Sequence, residues 1–205
     1  MKHHSHQSSA RRGMTVVELL LGIAGTGIVA SAIAAMLSAV SYGTGDRNDM
    51  RSQLVRQASV TNRLTAAVRS SLKILARGDD YIVFWMHDDR ADEKPNISEL
   101  RLIEVNASSK TLTSYEADFS GMTEDQKTAA DTAYELSDNF ASITTTLKSS
   151  PTFPGTLWAK GVNQVDFELN ASDVQEATLV AFTISWGSGS TAHTAVGTAA
   201  LRSQV

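Results

Sequence analysis

Glu18 is the only charged residue between Gly13 and Val40, and it stands in the first turns of an otherwise apolar stretch. A carboxylate held among apolar groups is costly, so it calls for an opposite charge or a function. A second acidic group, Asp79, Asp80, Asp88, Asp89, Asp92 and Glu93, clusters near the first apolar run after residue 78. Several oxygen ligands on one loop suit calcium, which makes Asp88, Asp89 and Asp92 the metal candidates. Their spacing matches no EF-hand, and a solvated acidic loop is the plainer reading. His3, His4 and His6 are close enough to chelate a metal, whereas His87 and His193 stand alone without catalytic companions. Cysteine is absent, which removes structural disulfides, iron–sulfur clusters and Cys-type zinc sites. The run Trp186-Gly187-Ser188-Gly189-Ser190 lacks the order of a serine nucleophile elbow. There is no phosphate-binding glycine loop at a strand–helix junction and no H-E-x-x-H. Neither an enzyme nor a cofactor is expected.

The elements that carry these residues are unevenly built. Overall the chain is 42% hydrophobic with a net charge of -4, values ordinary for a soluble domain. The long apolar stretch, however, lies in the first fifth. Residues 19–40 carry no charge, and as a helix they would be about 33 Å long, enough for the roughly 30 Å hydrocarbon core of a bilayer. The basic pair Arg11-Arg12 precedes this run, so the N-terminus is expected in the cytoplasm and the rest exported. A secretory signal would be cut after the run, and Ala30, Ala32 and Ala39 imitate such a site, but the run exceeds a usual signal core. A plain signal anchor fits the length and leaves Glu18 unexplained. Gly22, Gly25 and Gly27 suit close helix–helix packing. They also lower the cost of local melting, because each interior glycine costs about 1 kcal/mol relative to alanine.

Beyond Val40, Gly43 and Gly45 mark an expected bend. Met50, Leu54, Ala58, Leu64, Val68, Leu72 and Leu75 then recur at loosely helical spacing, predicting an amphipathic helix that ends near Gly78. The basic residues between Arg47 and Lys73 read as its solvated face, and mild overall acidity argues against nucleic acid as a partner. Residues 81–86 form a β-rich apolar run, and 98–105 with 111–116 predict a hairpin. Thr123-Glu124-Asp125-Gln126 matches a capping box, predicting a helix toward Leu136. Residues 137–156 read as irregular, with spaced Phe140, Ile143 and Leu147. Strands are expected over 162–169, 178–186 and 192–201, the last pair joined at Gly187-Ser188-Gly189. The order suggests an antiparallel sheet packed on a helix, an α+β head.

The string Gly13-Met14-Thr15-Val16-Val17-Glu18-Leu19-Leu20 resembles the class III signal of type IV pilins and pseudopilins. The resemblance implies cleavage after Gly13, methylation of the new N-terminus at Met14, and glutamate at the fifth mature position, which is Glu18. Thr15 supplies the hydroxyl at the second mature position. Met14 departs from the phenylalanine most frequent there. The family further implies that Glu18 pairs with the Met14 amine of a neighbouring subunit, and that the helix loosens near Gly27. Residues 157–169 (LWAKGVNQVDFEL) and the string Ala200-Leu201-Arg202 are similar to minor pseudopilins of the J type. The implied fold is pilin-like: a long N-terminal helix, half transmembrane and half amphipathic, on an antiparallel β-sheet head. Residues 1–13 would be a removed leader carrying the three histidines, 14–42 the assembly helix, 43–77 its continuation and 78–205 the head. Implied partners are other pilin or pseudopilin subunits, prepilin peptidase, an inner-membrane assembly platform and the lipid bilayer. The expected place is the bacterial inner membrane, with a periplasmic head. A minor type IV pilin serving adhesion, motility or DNA uptake is the near alternative. A single-pass anchored binding protein that never assembles is the distant one.

Overall fold

The computed structural model describes residues 16–90, 92–187 and 192–202. The chain divides into two compact units, one up to Gln53 and one from Leu54 onward. The second unit takes in residues 54–77 together with the strands that follow.

The first helix, α1, is Val16–Ser70. It stays helical through Gly43 and Gly45, since two glycines weaken a helix without removing its hydrogen bonds. Among its described side chains Val60, Leu64, Ala67 and Val68 are buried, spaced three and four apart as one helical face requires. The expected stripe begins too far toward the N-terminus, since Leu54 and Ala58 are exposed. The helix also stops earlier than expected. Ser71 turns the chain out by donating its hydroxyl and its N–H to the Val68 carbonyl, at 2.7 and 3.2 Å. Lys73–Arg77 is a strand, β1, paired antiparallel with β2 (Tyr81–Trp85). Leu72, Ile74 and Leu75 fit helical and strand spacing alike, and pairing with β2 decides the outcome. Gly78 closes this hairpin, because a side chain there would overlap the Tyr81 ring.

In the head, β3 (Leu100–Asn106) and β4 (Thr111–Glu116) form the expected hairpin. The following helices are α2 (Glu124–Ala130) and α3 (Phe140–Leu147). Thr123 accepts from the Gln126 N–H, so the capping box holds, but α2 ends at Asp131 instead of reaching Leu136. α3 occupies the segment expected to be irregular; its Asn139 cap accepts from Ser142. β5 (Gly155–Lys160) completes a five-stranded antiparallel sheet ordered β1-β2-β3-β4-β5. At Gly161, with φ of 78°, the chain leaves that sheet for a second one. This three-stranded sheet is β6 (Val162–Leu169), β7 (Leu179–Trp186) and β8 (His193–Ala200). The turn expected at Gly187-Ser188-Gly189 lies partly outside the described residues.

Two cores result. One face of the larger sheet, with Ile82, Phe84, Ile103 and Leu112, packs with the buried line of α1 and with Val165, Phe167, Phe182 and Ile184 of the smaller sheet. The opposite face, with Val83, Trp85, Leu100 and Leu102, is covered by Phe140 of α3 and by Phe153. Strand β2 is buried on both faces, which is why it reads as unbroken apolar sequence. Strand β6 is buried on one, which is why VNQVDFEL alternates. On β8, Gly197 leaves the room that the Phe182 ring fills. The segment after β8 is fastened to the helix junction: the Arg202 N–H donates to the Ser71 carbonyl at 3.0 Å, and the Leu72 N–H to the Trp85 carbonyl at 2.7 Å.

Candidate functional site

Among the described residues, one helical stretch, Leu19–Leu37, is long and apolar enough to cross a membrane. Every described side chain from Val16 to Leu37 is exposed, Leu21 at 68% and Met36 at 72%. So much apolar surface is not left to water in an ordinary soluble protein. Leu21, Gly22, Gly25, Thr26, Val29, Ala30 and Ile33 line a shallow groove along one side of the helix. Their spacing of three and four residues makes it a continuous face. A side chain at Gly22, Gly25 or Gly27 would meet nothing within 4 Å, so packing within this chain does not demand glycine at any of them. The Thr26 hydroxyl donates to the carbonyls of Gly22 and Ile23 at 3.0 and 2.9 Å. Its polar hydrogen is thereby satisfied inside the helix, which permits threonine at an apolar depth. Glu18 occupies the third position of α1. Gly13, Met14 and Thr15 lie outside the described residues.

The acidic residues of the head have local duties. Asp88 and Asp92 accept from the Glu93 and Lys94 N–H groups at 3.3 and 3.1 Å, and Asp89 meets His87 Nε2 at 3.1 Å. Asp79 and Asp80 lie in the turn between β1 and β2. Among the described residues no three metal-ligating side chains come together. The organising carboxylate of this loop is instead Glu99, fully buried. It accepts from Trp85 Nε1 at 3.0 Å, the Asp89 N–H at 2.7 Å and the Asn96 N–H at 3.1 Å. Both legs of the loop are thus pinned to one side chain. Asp131 supports the same region, accepting from the Ser98 N–H and hydroxyl and from Arg90, each at 2.8 Å. Lys94 bonds Glu135 across the surface, and that contact first of all raises its pKa. Alternation in SELRLIEV makes Glu99 look like an outward polar position. The signal that could have found it is the Asn96-x-x-Glu99 spacing of a helix start.

Fold and exposed surface together define an α+β protein, mixed helix and antiparallel sheet, with an N-terminal apolar helix long enough to span a membrane. No family model, curated protein or solved structure matches the chain.

Proposed function

We propose that this chain is a prepilin-like structural subunit, a minor pseudopilin of a type II secretion-like filament. Prepilin peptidase cuts it after Gly13, and the helix from Met14 holds it in the bacterial inner membrane with its head outside. Assembly then packs that helix against those of neighbouring subunits. The observation that carries this reading is the groove at Gly22, Gly25 and Thr26 on an apolar helix that no described residue covers. Small residues let helix backbones approach closely in lipid, and a groove no internal neighbour needs suits a neighbour from outside. Glu18 fits the same picture, because an unpaired buried charge is destabilising by about 3–5 kcal/mol. Pairing with a neighbour's Met14 amine removes that cost only at the correct stagger, so the pair sets register as well as adhesion.

Intact mass of the membrane-bound protein tests processing. Loss of residues 1–13 with gain of one methyl group is the expected result, and an unprocessed N-terminus sinks the reading in favour of a plain anchor. Glu18→Ala should still be cleaved yet should enter filaments poorly. Normal incorporation in a cross-linking assay would count against the assigned role of Glu18.

A further inference from the structure

Charge is segregated along this chain. Arg51, Arg56, Arg63, Arg69, Lys73 and Arg77 follow one another with no acidic residue from Met50 to Gly78. Of the 22 acidic residues, all but Glu18, Asp46 and Asp49 lie at or beyond Asp79. Of the basic residues in that later part, Arg90, Lys94, Arg101, Lys127 and Lys148 are already ion-paired within the head. Between Lys160 and Arg202 there is no lysine or arginine at all.

The fold brings both extremes to the surface. Arg56, Arg63 and Arg69 are exposed on α1. Arg56 and Arg63, seven residues apart, fall on the same side of the helix, and Arg69 lies further round the exposed arc. None is ion-paired among the described residues; the bridges present involve other cations. Asp166 and Glu168 point outward from β6, alternating with buried Val165 and Phe167, and Asp173 and Glu176 belong to the turn that follows. Among the described residues, no lysine or arginine pairs with any of these four.

We propose that the exposed arc of α1 around Arg56, Arg63 and Arg69 is a docking surface for the acidic β6 surface, Asp166 to Glu176, of a second copy of this chain. Two acidic heads repel when brought side by side, and guanidinium groups between them reverse the sign of the contact. Arginine suits this task because its planar fork can meet a carboxylate with two hydrogen bonds. Such complementarity sets orientation and partner choice more than raw affinity. The inference goes beyond the filament reading: it needs only that two copies of this chain meet in the membrane.

The chain has no cysteine, so introduced ones report contact without background. Full-length protein carrying Asn62→Cys is mixed in membranes with full-length protein carrying Gln164→Cys, and mild oxidation follows. A disulfide-linked dimer is expected. It should fall about tenfold or more when Arg56, Arg63 and Arg69 are changed to Glu, and likewise in about 1 M salt, where the screening length shrinks to about 3 Å. Adding Asp166→Arg and Glu168→Arg to the copy that carries Gln164→Cys should restore the dimer against the reversed helix. If the triple variant loses its circular-dichroism melt, Arg63→Glu alone with the Glu168→Arg partner carries the same test. No cross-link, or one indifferent to charge reversal and salt, overturns the proposal. So does capture of duplex DNA by the arginines when no cross-link forms. A charge-sensitive cross-link beside an unprocessed N-terminus removes the filament reading alone. Processing and incorporation without that cross-link remove this contact alone.

Discussion

Glycine is used in opposite ways in the two units. Along the apolar part of α1, a side chain added at Gly22, Gly25 or Gly27 would meet only open space. In the head, one added at Gly78, Gly155 or Gly197 would run into Tyr81, Tyr115 or Phe182. Gly78, Gly155 and Gly197 are accounted for by neighbours within the head, and Gly22, Gly25 and Gly27 have no such neighbour among the described residues. Particular large apolar residues differ in the same direction. Leu64 and Phe84 are fully buried, whereas Leu20 and Leu21 are mostly exposed. Satisfaction from within marks the head as a self-sufficient fold, and its lack marks the helix as a surface awaiting lipid or protein.

The contrast is sharpest if the units are separated. Removing residues 1–53 should abolish recovery with membranes altogether and leave the head's thermal unfolding unchanged by circular dichroism. A clearly lowered midpoint would show that the head depends on the segment removed. Next in size is a pair of truncations. Phe182→Ala should cost the head about 3–5 kcal/mol, measured by denaturant unfolding of the full chain in detergent, while Leu21→Ala leaves that transition in place. Equal effects of the two would erase the distinction. A smaller loss is expected for Glu99→Ala, which strands the Trp85 indole and the N–H groups of Asp89 and Asn96. About 1–3 kcal/mol should go, with hydrogen exchange rising first in residues 87–99. Unchanged exchange there would show that the loop is held by something else.

The smallest effect is alkaline. Burial, and after it the Asp138 charge, raises the pKa of the Tyr134 hydroxyl. A raised folded-state value means the neutral form is favoured by folding. Its contribution is therefore complete below the unfolded tyrosine range near pH 10 and lost as pH climbs through the folded value. The unfolding midpoint should fall above about pH 10, and Tyr134→Phe should flatten that decline. An identical decline in the variant would assign it to other groups.

How much of this is legible in the sequence follows from how far apart the deciding partners lie. The spanning stretch is readable because its signal is a local lack of charge. The β3–β4 hairpin and the β6 to β8 strands are readable because alternation reports a half-buried sheet. β1 reads as helix because Leu72, Ile74 and Leu75 fit both periods, and its identity comes from β2 alone. β5 has no clean alternation, being largely exposed. α3 is hidden in serine and threonine, though Phe140, Ile143 and Leu147 already stand at helical spacing. Glu99 escapes because its burial depends on Trp85 and on a loop that folds back over it. The residues expected to act at the N-terminus, Gly13, Met14 and Thr15, lie outside the described residues.

The fastening at the helix junction bears on mechanics. Ser71, where α1 gives way to β1, is held by Arg202 from beyond β8, and Leu72 is held by Trp85 of β2. A pull transmitted down α1 therefore reaches both sheets at one place, through the first strand and the last together. Tension is shared between the ends of the head before either sheet can peel, as a seam lasts longer when knotted at both ends.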